Sequence, residues 1–388
     1  MNRTYKYRIY PKKQQVQELN VMLGAFCDLY NAGLQQRIEA YSRQKISLSC
    51  ITQCNELKAV READERLADF SFSAEQQVIR RLDKAFKAFF RRLKTKDKAG
   101  FPRFRSKARH NSADFRVGDG LTLKKSNKIG ITGISGELRV KWHRDLPTKP
   151  KAAVLTRHDR KWYVSFQVEL PNVEIIEPVN AIGIDVGLNK LCALSNGETF
   201  DHPRFHRRAQ ARQRVLQRKL SRCKKGSKRR TEVKVVLASA SAHVANQRRD
   251  HAHKLTTNLI RIYDGFAVED LRIKNMMKSN LAKSIQDASW HQLLSLIDYK
   301  AASAGMMYVK VNPRGTTQNC SECGCIPLVK KTLSTRTHTC EDCGLVLDRD
   351  VNAARNILQR SRLGTSRQAQ IKPDVARIVC EAACFSWR

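Results

Sequence analysis

Two sets of residues in this chain are of types that bind metal, and they lie close together in sequence. Cys320, Cys323, Cys340 and Cys343 form the pattern C-x2-C-x16-C-x2-C. Each CxxC is a tight knuckle that places two thiolates on one edge of a tetrahedron, and two knuckles close the site. Gly324 and Gly344 follow directly after the second cysteine of each knuckle and relieve its turn. Four thiolates leave no open coordination position, so the Zn2+ they imply is structural and not catalytic. Redox exchange is the competing use of such pairs.

The second set is carboxylate. Asp185 lies in "GIDVG", where Ile182 and Ile184 point to one face of a strand and Asp185 to the other. Gly183 and Gly187 are expected to keep that face open. Glu269 ends the apolar run "GFAVE", although spacing alone does not separate it from Asp270. Asp350 opens "DVNAARNIL", sharing a helical face with Ala354 and Ile357, and so points along the buried side. Asp348 precedes that helix and reads as its cap. A single strand-end acid is usually a cap or a surface residue. Several on buried faces are costly unless they share divalent cations. Hard oxygen ligands suit two Mg2+ ions, or Mn2+, and in-line phosphodiester cleavage.

The elements that must carry these residues follow from periodicity. "YKYRIYP" alternates Tyr5, Tyr7 and Ile9 with basic residues and reads as a strand. Most of the next hundred or so residues read as helix: Val16 to Ile38 keep helical spacing, and Val78, Leu82, Phe86 and Phe89 mark a second helix with Ser73 and Gln76 as its capping box. In "GFPRFRSKARHNSADFRV" aromatic and basic residues interleave, with Arg103, Arg105 and Lys107 as candidate backbone contacts. The competing reading is a basic loop over a core edge. Residues 115–170 alternate as short strands of a small antiparallel sheet or barrel, and "PNVEIIEP" reads as a linker.

Beyond it, "NAIGIDVGLNKLCALSNGETF" holds two short strands, "YDGFAVEDLRIKNM" another, "WHQLLSLIDYKAASAG" a helix and "MMYVKVNP" a last strand. Between Asp201 and Glu232 no acidic residue occurs. That stretch includes Arg207, Arg208, Arg212, Lys219, Lys224, Lys225, Arg229 and Arg230. A solvated face normally mixes signs, so a run of one sign points to phosphate contacts.

The bulk numbers agree. The chain has 388 residues, 41% of them hydrophobic, and a net charge of +37. Such an excess repels itself unless a polyanion neutralises it, and nucleic acid is the expected partner. An anionic membrane surface is the rival, but no run is apolar enough to span a bilayer and no signal peptide is evident. Of 12 cysteines only four have ligand spacing, which fits a reducing cytosol.

"GIDVGLNKLCALSNG", "FAVEDLRIKNM", "VNPRGTTQNCSECG" and "CGLVLDRDVNAARNIL" together resemble the successive motifs of the TnpB (OrfB) family encoded by insertion sequences, which is similar to compact type V CRISPR effectors. "YKYRIYPKKQQ", "FPRFRSK" and "QRRDHAHKLTT" extend the resemblance over nearly the whole chain up to about Arg360. The resemblance implies an α+β multidomain fold. Residues 1–180 would form a wedge-like β-barrel with a helical recognition lobe inserted at about 12–100. Residues 181–360 would form a RuvC-like nuclease domain of RNase H fold, with a zinc ribbon inserted at 320–343, and 361–388 a flexible tail.

It maps the family's acidic triad onto Asp185, Glu269 and Asp350, choosing Glu269 over Asp270 and Asp350 over Asp348. It places the ribbon beside the catalytic cleft, with Lys330, Lys331, Arg336 and His338 as phosphate contacts. The implied activity is RNA-guided cleavage of double-stranded DNA. A guide RNA from the element's end would pair with one strand, and the protein would read a short motif beside the target. The implied setting is a bacterial or archaeal cytoplasm, nucleoid-associated when acting, with a monomer or weak dimer on RNA. The alternatives are a transposase acting in strand transfer and a catalytically silent, RNA-guided regulator.

Overall fold

A computed structural model of the chain describes residues 2–363, apart from 126, 159 and 333. The expected flexible tail, with Cys380 and Cys384, lies outside the described residues from 364 onward. Two compact units divide between Asn172 and Val173. The segment read as a linker contains this boundary, and its second part joins the second unit, where the Ile176 N–H donates to the Gly305 carbonyl.

The first unit is a closed barrel. Its strands are β1 (Asn2–Tyr10), β2 (Ser112–Val117), β3 (Gly120–Lys124), β4 (Lys128–Ile131), β5 (Leu138–Lys141), β6 (Ala152–His158) and β7 (Lys161–Glu169), in the order β1-β5-β4-β3-β2-β6-β7. The alternation seen in sequence sets which side chains face inward. Tyr5, Tyr7 and Ile9 of β1 are buried, as are Trp162, Val164, Phe166 and Val168 of β7, with Tyr7 opposite Val164. Trp142 stacks on Phe166 with ring centroids 5.6 Å apart. Truncating a fully buried ring such as Phe166 costs about 3–5 kcal/mol.

Between β1 and β2 the chain forms α1 (Lys13–Gln44), α2 (Cys50–Ala63), α3 (Glu65–Ala68) and α4 (Phe72–Lys94). The expected capping box at Ser73 is corrected. Ser71 is the residue with extended backbone before α4, and its Oγ accepts the Ala74 N–H at 3.4 Å. Ser73 instead turns its hydroxyl to the Asp119 carbonyl. The helix start is pressed against β3, since a Cβ on Gly120 would lie 2.5 Å from Ser71 Oγ.

The second unit is built on a sheet of β8 (Ala181–Val186), β9 (Lys190–Leu194), β10 (Thr199–Asp201), β11 (Gly265–Glu269) and β12 (Met307–Val311), ordered β10-β9-β8-β11-β12. Strands β8, β11 and β12 run parallel, while β9 and β10 are antiparallel. The strand read in "YDGFAVEDLRIKNM" ends where its apolar run does: β11 stops at Glu269, and α7 (Ile273–Met276) follows.

Two long helices, α5 (Phe205–Arg222) and α6 (Lys228–Ile262), connect β10 to β11; α8 (Ala282–Ala288) and α9 (Trp290–Ser303) connect β11 to β12. Ile182 and Ile184 share a core with Leu255 and Leu259 of α6 and Leu293 and Ile297 of α9. The opposite face carries α10 (Arg349–Ser361), whose Ile357 packs with Ala267 and Val311.

Gly183 explains how close α10 sits. A Cβ there would come within 2.1 Å of the Ala354 carbonyl oxygen and 2.9 Å of Leu358 Cβ. The expectation that Gly183 keeps the Asp185 face open is therefore corrected. The glycine admits the helix, and the helix covers that face.

Candidate functional site

Three elements bring three carboxylates to one end of this sheet. Asp185 lies near the end of β8 and Glu269 at the end of its parallel neighbour β11, where Ile184 pairs with Val268. Asp350 sits in the first turn of α10. Its Oδ2 would be 3.7 Å from a Cβ on Gly187, one residue beyond β8. All three are half-buried, whereas Asp270 and Asp348 are exposed. Asp348 caps α10, its Oδ1 accepting the N–H groups of Asp350 at 2.8 Å and Val351 at 3.2 Å.

The electrostatics show convergence without neutralisation. Burial pushes the Asp185 carboxyl well above the ordinary carboxylate range, and the charges of Glu269 and Asp350 push it further. Arg349 pulls the other way. Burial also raises Glu269, opposed by a hydrogen bond from the Thr316 hydroxyl and by Arg360. Arg349 donates from Nε at 3.2 Å and Nη2 at 3.1 Å to the same Asp350 oxygen. Neither Thr316 nor Arg349 stands out in the sequence: the fold alone brings Thr316 to Glu269, and helical spacing does not pair Arg349 with its neighbour Asp350.

An excess of like charge on hard oxygen ligands is the chemistry of a divalent cation site. Among the described residues, only the cysteine quartet brings its ligand atoms all within 4.8 Å of one another. The three carboxylates do not all meet that spacing.

In the quartet, Cys320 Sγ lies 3.6 Å from Cys343 Sγ, and Cys323 Sγ 3.5 Å from Cys340 Sγ. Thiolates about 2.3 Å from a tetrahedral zinc are about 3.8 Å apart, so the residues fit that ion. The two knuckles are alike. The Gly324 N–H donates to Cys320 O and the Gly344 N–H to Cys340 O, both at 3.1 Å. Both glycines have positive φ, 76° and 73°.

The ribbon continues through β13 (Thr337–Thr339) and β14 (Val346–Asp348) directly into α10. Side chains on one face of α10 fasten it to the first knuckle. Asn352 accepts the Ser321 N–H at 2.9 Å and donates to Asn319 O at 2.8 Å. Asn356 donates to Thr316 O at 2.8 Å, and Gln359 to Ser321 O at 2.7 Å. The metal knot therefore sets the position of the helix that carries Asp350. The 352, 356, 359 spacing was the available signal in the sequence.

The expected nucleic-acid contacts divide. Arg207, Arg208, Arg212 and Lys219 on α5, with Lys224, Lys225 and Arg229 just beyond it, are exposed, and their side chains have no partner among the described residues. Arg230 is used internally, donating to Leu220 O at 2.6 Å and Cys223 O at 2.9 Å at the end of α5.

On the ribbon, Lys330 and Arg336 are exposed, but His338 and Lys331 are corrected. His338 is 1% exposed and its Nδ1 faces Lys331 Nζ, which also donates to Thr317 O and Gln318 O. They hold the ribbon together.

In the first unit, Phe101 packs on Phe86 and Phe89 of α4, and Arg105 and Lys107 lie against α1. The Arg105 N–H donates to Asn31 Oδ1 at 2.8 Å, its guanidinium is 4.1 Å from the Tyr30 ring centroid, and Lys107 pairs with Asp28 at 2.8 Å. These contacts favour the loop over a core edge for Arg105, whereas the Lys107 side chain is 62% exposed and stays a candidate backbone contact. Arg103 is exposed.

Comparison with known proteins places this architecture. Residues 165–280 match the OrfB_IS605 family, described as a probable transposase; residues 290–357 match the TNB domain of Cas12f1-like proteins. Residues 1–45 match a helix-turn-helix domain of the OrfB_IS605 family, although here they form one strand and one unbroken helix. A Streptomyces pristinaespiralis protein provisionally named an RNA-guided DNA endonuclease is 32% identical over 96% of this chain and 92% of its own. The Escherichia coli K12 protein InsQ, provisionally named the same way, is 28% identical over 91% of each chain. Among solved structures, Cas12f1 from a complex with guide RNA and target DNA superposes with a TM-score of 0.57 at 16% identity, covering 90% of this chain and 83% of that one. The fold is thus that of compact type V effectors, and the chain belongs to the TnpB (OrfB) family.

Proposed function

We infer that this protein is an RNA-guided DNA endonuclease of a transposable element, cutting double-stranded DNA by metal-dependent phosphodiester hydrolysis. The observation that carries the cutting is the convergence of Asp185, Glu269 and Asp350 at the ends of β8 and β11 and the start of α10, with burial and mutual repulsion raising Asp185. Their elements support a RuvC-like reading of the second unit, with the ribbon inserted in it. The barrel would be the wedge and α1 to α4 the recognition lobe.

Asp185, Glu269 and Asp350 would hold Mg2+, which when bound activates water and stabilises the leaving oxygen. The Thr316 hydroxyl orients Glu269. Arg349 occupies one Asp350 oxygen and leaves Oδ2 facing the Gly187 side. The basic faces of α5 and the start of α6 would take the backbone of guide RNA or DNA, while base pairing reads the sequence. Action in a bacterial or archaeal cytoplasm, at the nucleoid, as a monomer or weak dimer on the RNA, accords with this reading.

The test is to express the protein with its flanking DNA, sequence the RNA that co-purifies, and challenge the complex with a matched plasmid. One dominant RNA reaching past the element's end, and cutting at its match, are expected. Only bulk cellular RNA, stripped by salt, would overturn the guide. The family description as a transposase favours a second reading, strand transfer. Joining of labelled element ends to a target would support it, and hydrolysis alone would exclude it.

A further inference from the structure

The turn between β8 and β9 has two neighbours. Gly187 borders the Asp350 carboxylate, and its carbonyl accepts the Trp290 Nε1–H at 3.1 Å. The next two residues, Leu188 and Asn189, line a cleft of about 540 Å³ formed with the start of α5 and with α8. Arg336 of the ribbon reaches the same turn, its guanidinium within 2.8 Å of the Asn189 side-chain amide.

Arg204, Arg207, Arg214 and Lys283 also line this cleft. All four are exposed, and among the described residues their side chains have no ion pair or hydrogen bond. The one carboxylate in the lining, Asp287, is 8% exposed and already occupied. Its oxygens accept the backbone N–H groups of His206 at 2.9 Å and Arg207 at 3.2 Å, so it caps α5. Four cations around one concavity repel one another unless an anion enters. The volume is that of a small-ligand pocket, about one or two nucleotides.

We propose that this cleft binds the phosphodiester backbone of the single DNA strand being cut, holding a phosphate beside the scissile one. The assignment to the cut strand rests on the nuclease reading above and on the shared turn, where one residue borders a carboxylate and the next two line the cleft. Arg207, Arg214 and Lys283 are positioning residues in this account. They set which phosphate reaches the carboxylates and touch no reacting atom.

The experiment uses the protein purified with its own RNA and a matched duplex. In the double variant Arg207→Glu, Lys283→Glu, cutting falls about a hundredfold, taking about tenfold for each lost charge-assisted contact. Co-purified RNA and guided DNA binding fall far less than cutting, since most of the phosphate contacts along α5 and α6 remain. Unchanged cutting overturns the proposal. A loss of RNA in step with the loss of cutting also overturns it, because the cleft then serves the guide. A second arm changes the DNA. The wild-type protein is given substrates with a single neutral methylphosphonate at each position flanking the cut. One position slows cutting about tenfold, and the double variant is insensitive there. Full-rate cutting with every such substrate overturns the cleft assignment alone. Absence of any wild-type cutting of matched DNA overturns the nuclease reading, and this proposal with it.

Discussion

The two units treat buried and half-buried charge in opposite ways. In the barrel unit several buried or half-buried ionic side chains are paired with one another. Arg37 donates to Gln53 and pairs with Asp83, Arg61 meets Glu75 at 2.8 Å, and Arg81 grips Asp114 and the Ser112 carbonyl. In the sheet unit three carboxylates converge with Arg349 paired to Asp350 and Arg360 acting on Glu269 without a direct ion pair among the described residues, and the α5 cations stand unpaired. Paired charges hold a fold in place. Charges left facing one another, or facing a cleft, are held by the fold for something that arrives later.

The largest expected effect comes from the unneutralised set. Glu269→Gln should lower cutting by about a thousandfold or more, since a metal ligand carries several kcal/mol of transition-state stabilisation. The melting temperature should hold or rise, because one repelling buried charge is gone. A fall of several degrees would mean that these acids are structural, like those of the barrel unit.

Next is the metal knot. Cys320→Ser should release zinc on purification and loosen α10, whose Asn352 and Asn356 grip the Asn319–Ser321 stretch. Full zinc stoichiometry in that variant would contradict the ligand set.

Arg37→Ala should destabilise the barrel unit by about 1–3 kcal/mol, leaving Gln53 Oε1 without its donor and Asp83 with Lys87 alone. Zinc content should not change. Denaturant unfolding and metal analysis check both.

A smaller effect depends on pH. Burial holds the Glu75 carboxyl up at about 7 from 4.5, although Arg61 pulls it down. Between those values the folded state keeps a proton that the unfolded chain releases. Stability of the barrel unit is therefore greatest below the lower value and declines as pH rises toward the upper one, by about 1–3 kcal/mol. Glu75→Gln should flatten that decline; an unchanged profile would assign it to other groups. Smallest of all, Arg103→Ala should leave the melting temperature unchanged, as expected for an exposed side chain away from packing.

Much of this contrast was legible in the sequence. The cysteine spacing and its two glycines specify a ribbon locally, and the alternation in "YKYRIYP" and "WYVSFQVEL" specifies inward faces. Asp185 and Glu269 lie at the ends of short apolar runs. What periodicity does not carry is long-range packing. Gly183 looked like an opening and is a contact, because nothing nearby announces α10. His338 and Lys331 looked like surface cations, and only the fold of the ribbon turns them inward. Arg105 and Lys107 looked alike to Arg103, yet α1 supplies Asn31, Tyr30 and Asp28 to engage them. Thr316 was one more polar residue before the cysteines until β11 brought Glu269 to it.

The most direct test of the central claim compares wild-type protein and Asp185→Ala, each purified with its RNA, on matched duplex DNA with Mg2+. Guided binding and cutting are measured in the same sample. The account predicts cutting only by the wild type, with binding by the two within about threefold, because Asp185 serves the metal and not the nucleic-acid backbone. Cutting that survives in Asp185→Ala, or binding lost together with it, would contradict the assignment of these carboxylates as the cutting site.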